Sequence, residues 1–282
     1  MALLGQLNSL RIVRWAPPGF YLDGGTHGEI LLPGRYNPPD AKIGATIEVF
    51  IYRDSEDRLV ATTERPLVTV GQCAFLRVVT VKPNVGAFLS WGLEKDLLLP
   101  LREQTRTVRP LDWVVVYVTL DPKSDRIMAT ARLNRWLGQT PPPFKDGQPV
   151  KLLIEEETPL GYRAIVDHTH HGLLYQSELG VELKIGQSLE GFVRTVRPDG
   201  KIDLGLDPVG YRRIGPLTEQ IIERLKTHEN FLPYHDKSTP EEIRAEFGTS
   251  KKAFKQAVGS LFRERRILIE PEGIRLVVGK GR

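Results

Sequence analysis

With 282 residues and a formal net charge of +4, the chain is long enough for more than one domain and only mildly basic, so acidic partners are allowed but not required. Its single cysteine, Cys73, excludes an intrachain disulfide framework, and no apolar run reaches the ~20 residues a membrane helix needs. The opening stretch MALLGQLNSLRIVRW lacks the apolar core and small-residue cleavage site of a secretory signal, so a cytoplasmic protein without membrane association is expected.

Along the chain, one order of features occurs three times. The first unit has GFYLDGG (Gly19–Gly25), EILLP (Glu29–Pro33), KIG (Lys42–Gly44) and the hairpin IEVFIYRDSEDRLVAT (Ile47–Thr62). The second has GAFLSWG (Gly86–Gly92), DLLLP (Asp96–Pro100) and the hairpin VVVYVTLDPKSDRIMATA (Val114–Ala131). The third has GYRAIVD (Gly161–Asp167), GLLYQSEL (Gly172–Leu179), KIG again at Lys184–Gly186, and EGFVRTVRPDGKIDLGL (Glu190–Leu206). β-Branched runs broken by Asp-Pro-Lys-Ser-Asp or Pro-Asp-Gly are hairpin signals. About five short strands in about 60 residues is the size of a Greek-key OB barrel. One large β-sandwich is the alternative, and the repeated order argues against it. Three tandem OB barrels are therefore expected over residues 1–65, 66–139 and 145–208. TPPPFKDG (Thr140–Gly147) reads as a stiff linker between the second and third, and Arg65–Val70 as a shorter joint between the first two.

After Pro208 the pattern turns helical, and a winged helix-turn-helix is expected over 214–282. TEQIIERLKTH (Thr218–His228) carries Ile221, Ile222 and Leu225 at helical spacing. In STPEEIRAEFG (Ser238–Gly248), Thr239 is a cap, Pro240 sits in the first turn, Glu242 completes a capping box and Gly248 ends the helix. In SKKAFKQAVGSLFRERR (Ser250–Arg266), the residues Phe254, Ala257, Val258, Leu261 and Phe262 make the buried stripe. RILIEPEGIRLVV (Arg266–Val278) is a hairpin turning at Pro271-Glu272-Gly273. The fold class is thus mainly β with a C-terminal α+β domain.

On that last helix Lys252, Lys255, Gln256, Arg263 and Arg266 fall opposite the stripe together with Gly259, and Glu264 is the one acid among six bases between Ser250 and Arg266. A helical glycine costs about 1 kcal/mol against alanine, and its bare surface lets a phosphate or backbone approach. A solvated basic face is the plainer explanation. In each barrel the strand after the repeated glycine and the strand after that form the usual OB ligand face, where aromatic and basic groups stack bases and neutralise phosphates. The candidates there are Phe20 and Tyr21, then Phe88 and Trp91, then Tyr162, Arg163 and Tyr175; alternation sends about half of such residues into the core. The third barrel is the strongest, because Arg194 and Arg197 add charge on its closing hairpin and Leu32 and Leu99 stand in the other barrels where it has Tyr175.

The order glycine, aromatic strand, short apolar strand, Lys-x-Gly and Asp…Arg hairpin resembles the S-one RNA-binding domain of ribosomal proteins. Asp54/Arg58 and Asp121/Arg126 match its last hairpin, with Arg197 and Lys201 in the third unit. The resemblance maps the stacking positions onto Tyr21, Phe88 and Arg163, and the aromatic of the next strand onto Leu32, Leu99 and Tyr175. Over its whole length the chain resembles the bacterial conserved virulence factor B family, most closely in DKSTPEEI (Asp236–Ile243) and SKKAFKQAVGSLFRERRI (Ser250–Ile267). That resemblance implies three such barrels, a winged helix and an RNA-binding regulator of gene expression. Single-stranded RNA is the expected partner, without a cofactor or catalytic activity. The expected contact residues are Tyr21, Phe88, Tyr162, Arg163, Tyr175, Arg194 and Arg197 on the barrels, and Lys251, Lys252, Lys255, Arg263 and Arg266 on the last helix.

Three rival readings exist. DHTHHG (Asp167–Gly172) puts three histidines together as in a metal site, but alternation splits them between two faces, and a polar turn is the expected role. No phosphate loop, nucleophile elbow or paired-carboxylate motif occurs. A duplex-DNA regulator working through the winged helix, and a protein-interaction scaffold, are the other two, since the fold alone does not choose between them.

Overall fold

A computed structural model describes residues 1–179, 181–206, 214–235, 237–263 and 265–277, without the side chains of Ser177, 214–216, Lys252 and Arg263. Three closed five-stranded barrels come first. They are formed by β1 (Leu7–Ala16), β2 (Gly19–Asp23), β3 (Glu29–Pro33), β4 (Thr46–Arg53) and β5 (Leu59–Thr62); by β6 (Cys73–Lys82), β7 (Gly86–Ser90), β8 (Leu97–Pro100), β9 (Trp113–Leu120) and β10 (Ile127–Thr130); and by β11 (Pro149–Thr158), β12 (Gly161–Val166), β13 (His170–Tyr175), β14 (Ser188–Val196) and β15 (Ile202–Gly205). Each barrel has its strands in the order 1-2-3-5-4, and the third and fifth pair in parallel. This is the OB topology expected from the repeats.

Two devices recur and explain the repeated glycines. The glycine that opens the second strand (Gly19, Gly86, Gly161) has φ of 148°, 148° and 144°. A Cβ there would lie 2.0, 2.3 and 2.0 Å from the carbonyl oxygens of Leu32, Leu99 and Leu174 on the neighbouring strand, so only glycine fits. The second device is a bulge in the first strand, at Ile12/Arg14, Val78/Thr80 and Ile154/Glu156. Each bulge is clamped from the loop before the fourth strand. Gly44, Leu111 and Gly186 donate to the carbonyls of Ile12, Val78 and Ile154, while the amides of those same residues donate back to Ala45, Asp112 and Gln187, all at 2.8–2.9 Å. The donor always sits at positive φ: 90°, 75° and 83°. Lys-Ile-Gly supplies glycine in the first and third barrels; the second uses a leucine.

The barrels are not beads on linkers. Phe50 and Tyr52 of the first share a core with Trp91, Val116 and Val118 of the second, and Phe50 meets the Trp91 ring edge-on at 5.6 Å. Trp91, expected on the ligand face, is buried instead, with its indole N–H donating to the Lys95 carbonyl at 2.6 Å. Cys73, Leu133 and Leu137 of the second barrel pack with Leu153 and Ile165 of the third. The Cys73 amide donates to His168 Nδ1 at 3.0 Å, and the Cys73 thiol is pushed up to about 12 by burial. The expected stiff linker is docked rather than spanning: the Thr140 carbonyl lies 2.8 Å from His170 Nε2, and Phe144 meets the His170 ring edge-on at 5.5 Å.

The C-terminal domain has α1 (Ile214–Thr227), β16 (Phe231–Leu232), α2 (Pro240–Phe247), α3 (Lys251–Arg263), β17 (Ile267–Glu270) and β18 (Gly273–Leu276), with a sheet in the order β16-β18-β17. Ile221, Leu225, Ile243, Phe254, Leu261, Ile267 and Ile274 form its core. The capping box at Thr239 and Glu242 is formed, and Gly248 ends α2 in the left-handed conformation. Phe262 departs from the expected stripe: it is 49% exposed, at the last turn of α3.

Leu111 is 68% exposed, so glycine there forfeits no burial. A left-handed leucine costs about 1–2 kcal/mol, and glycine returns about 0.5–1 kcal/mol of that in chain entropy. Leu111→Gly should therefore stabilise the second barrel by about 0.5–1 kcal/mol, seen as a higher calorimetric melting temperature.

Candidate nucleic-acid interface

Barrel geometry places the second position after the repeated glycine on the outer face of the second strand. It is Tyr21, Phe88 and Arg163, and opposite it on the third strand stand Leu31, Leu98 and Leu173. The next strand continues the row with Val60, Met128 and Asp203. The row is apolar in the first two barrels and charged in the third. Tyr175 does not share a position with Leu32 and Leu99. It pairs with Gly161 as Pro33 pairs with Gly19 and Pro100 with Gly86. Leu32 and Leu99 are fully buried and correspond to Leu174; the expected equivalence with Tyr175 is one residue out, which reverses the face.

In the first barrel the Arg14 guanidinium covers the Tyr21 ring at 3.7 Å and is itself paired with Glu29 at 2.7 Å. In the second, the Lys82 ammonium stands 5.3 Å from the Phe88 ring centre. In the third, Arg163 is held by acids: its Nε and Nη2 donate to Glu155 at 2.9 and 2.8 Å, and Nη1 reaches Glu156 at 3.0 Å. His171 Nδ1 also lies 2.9 Å from the Glu155 carboxylate. Burial alone would push the Glu155 carboxyl up, but the hydrogen bonds from His171 and Arg163 outweigh it and hold it below the ordinary glutamate range. Tyr162 is corrected outright. At 4% exposure it belongs to the barrel interior and offers no stacking face.

Tyr175 keeps a half-buried ring, and its hydroxyl is tied to Asp203 at 3.3 Å and to Arg197. Arg197 donates to Asp203 at 2.8 Å. Arg194 lies along Gly205, where a Cβ would fall 2.1 Å from its Nε. Of the resembled hairpin pairs, Arg58 does bind Asp54, at 2.8 Å. Arg126 instead crosses to the first barrel and binds Asp57 at 3.0 Å, while Lys201 pairs with Asp199 at 3.0 Å.

Sequence reasoning missed a cleft of about 360 Å³ where the second barrel's ligand face meets the first barrel. Phe88, Leu98 and Met128 form its apolar wall, and Arg53, Lys95 and Arg126 its cationic one. Lys95 Nζ donates to the carbonyls of Arg53 and Asp54 at 2.9 and 2.8 Å, and burial pulls its ammonium below the ordinary lysine range. Of this cleft, Phe88, Trp91, Asp121 and Arg126 carry a signal in the sequence, whereas Arg53 and Lys95 carry none.

On α3, Phe254, Ala257, Val258 and Leu261 are buried, Lys255 and Gln256 are exposed and Lys251 is half-buried. Arg266, just past the helix, is exposed, and the side chains of Lys252 and Arg263 lie outside the described residues. A Cβ on Gly259 would meet nothing within 4 Å, so the glycine leaves open surface there. The histidine cluster does not converge: His168 accepts from Cys73, His170 is buried against Thr140 and Phe144, and His171 faces Glu155. Among the described residues no group of three or more His, Cys, Asp or Glu is placed to hold a metal.

S1-type OB barrels joined to a winged helix define the class, and family models agree: an S1 domain matches residues 4–64 and a CvfB-like winged helix domain residues 219–276. Such domains are of nucleic-acid-binding type. The chain is 28% identical over 282 residues to the uncharacterized protein YitL of Bacillus subtilis, covering 94% of this chain and 91% of that one. It is 24% identical over 283 residues to conserved virulence factor B of Staphylococcus saprophyticus, covering 97% and 94%. Its similarity to conserved virulence factor B proteins thus runs over nearly the whole chain, and the winged-helix model of that kind matches its C-terminal domain. A crystal structure of a multidomain protein with nucleic acid binding domains from Streptococcus pneumoniae matches at 23% identity and a TM-score of 0.40, covering 97% of this chain and 98% of that one.

The Glu155 cluster yields a test. A carboxyl held low contributes stability above the ordinary glutamate range and loses it as pH falls through the depressed value. Glu155→Gln should cost on the order of 2 kcal/mol at neutral pH, less than the ~3–5 for a fully buried pair because Arg163 keeps about a third of its side chain in water. The difference from the parent should shrink on acidification, measured by thermal melts across pH.

Proposed function

We propose that this chain is a cytoplasmic regulator of gene expression that binds single-stranded RNA and carries no catalytic activity. The observation that carries the reading is the exposed side of α3, where Lys255 and Gln256 face solvent beside an open glycine surface and no acid occurs between Lys251 and Arg263. Backbone phosphates are the natural partners of such a face. The barrels add aromatic surface of the kind that stacks unpaired bases, and an OB face suits single strands better than duplexes. In the third barrel Arg163 and Arg197 are engaged by acids, so Tyr175 is its better contact, and the electrostatic weight shifts to the winged helix.

Titrating the full chain with unstructured oligo-uridylate at several salt concentrations tests this. Lys251→Ala combined with Lys255→Ala should leave stability within about 0.5 kcal/mol. The same pair should weaken binding and flatten the salt slope by about 0.7 for each phosphate that the two lysines neutralise. Tyr175→Ala should weaken binding by about 1–3 kcal/mol with little change in salt slope. Salt-independent affinity, or preference for duplex DNA in competition, would overturn the reading.

A further inference from the structure

We infer that the second barrel carries a further single-strand contact on its other outer face, where Trp113 stacks one base and Arg77, Arg106 and Lys184 take the flanking phosphates. This contact presupposes the nucleic-acid reading above and lies away from the rows already described. Those rows run through the second, third and fifth strands of each barrel. In the second barrel the remaining two, β6 and β9, pair side by side and show solvent a face of their own. Alternation turns Leu76 and Val78 inward and Phe75, Arg77 and Trp113 outward. The third barrel covers one end of that face: a Cβ on its Gly186 would fall 1.9 Å from the Phe75 ring. The other end is open. Trp113 stacks on Phe75 with 5.1 Å between ring centres and still leaves 50% of itself to solvent.

The barrel itself does not ask for tryptophan here. The position follows the two residues that clamp the bulge, and Thr46 and Ser188 stand there in the first and third barrels. Anchored on Phe75, the indole is a rigid platform, and any base can stack on such a ring. Both barrels supply cations. Arg77 lies directly across the strand pair from Trp113, exposed and, among the described residues, without an acidic partner. Arg106 donates to the Trp113 carbonyl at 3.4 Å and pairs with Asp112 at 3.2 Å, which holds its guanidinium at the rim. Lys184 is exposed on the third-barrel loop whose Ile185 lines, with Thr105, Arg106 and Glu156, a cavity of about 260 Å³ beside Trp113. The nearby acids are engaged, Asp112 by Arg106 and Glu156 by Arg163. Both flanking loops are the ones pinned to bulges, through Leu111 and Gly186, so the backbones that carry the platform and its cations are fixed before a ligand arrives. Positive charge around an exposed aromatic complements a phosphodiester strand.

Titration of the full chain with oligo-uridylate at several salt concentrations tests the assignment, together with mapping of the crosslinks formed by a 4-thiouridine-substituted oligo-uridylate. Trp113→Leu removes the ring and keeps apolar cover over Phe75. It should weaken binding about fivefold or more, whereas Trp113→Phe should keep most of the affinity. Arg77→Ala leaves the Phe75–Trp113 stack in place and should flatten the salt slope by about 0.7 for the phosphate it neutralises, a readout that a purely structural role does not move. The crosslinked residues should include Trp113. If Trp113→Leu also lowers the melting temperature, the Arg77→Ala slope decides in its place. Parent-like affinity in a stably folded Trp113→Leu, or a parent-like slope in Arg77→Ala, overturns the inference and leaves this face to a protein partner. If in that case the Lys251→Ala, Lys255→Ala variant still loses oligo-uridylate affinity, the RNA reading stands and only this contact falls. Should the parent bind no oligo-uridylate at all, both fall.

Discussion

Everything in the first three domains follows from the need to close five short strands into a barrel. A narrow closed sheet demands strands that bend sharply, and a bulge is how a strand bends without losing its pairing. Here the bulge is pinned by two backbone hydrogen bonds, one of them from a residue at positive φ, in all three barrels. The glycine that opens the second strand serves the same closure, because it lets that strand press against a neighbouring carbonyl. Once both are in place, the outer row through the second, third and fifth strands is fixed, and with it the surface a ligand meets.

The three rows have diverged in chemistry while sharing this frame. The first covers its aromatic with a guanidinium, and the third replaces the aromatic by an arginine locked among carboxylates. The second keeps an aromatic beside a cleft, and that cleft exists because the first barrel is packed against it. The surface the second barrel presents therefore depends on its neighbour as much as on its own strands.

Much of this is legible in the residues. The repeated Gly-led strand, the Lys-Ile-Gly loop and the closing hairpin are local signals with direct physical causes, and the Thr239–Glu242 capping box is another. Face assignments on the barrels are harder to read. Loop lengths between the second and third strands differ among the units, so sequence pairs Tyr175 with two core leucines where the register pairs it with two prolines. Tyr162 misleads for a related reason: alternation distinguishes two faces but not which one closes inward. The inter-barrel contacts leave no signal at all. Trp91, Cys73 and Lys95 look ordinary within their own units, and their roles come from residues of other barrels.

The shared cores also make the barrels thermodynamic neighbours. In a linear array, each repeat is stabilised by its own core and by the boundaries it shares. The second barrel has two such boundaries, through Phe50 and Trp91 on one side and Leu133 and Ile165 on the other. A defect in an outer barrel weakens one coupling, whereas a defect in the middle weakens both. The central repeat is thus the keystone of the row, where a neutral change is hardest to find because each of its two joints must stay matched to the barrel packed against it.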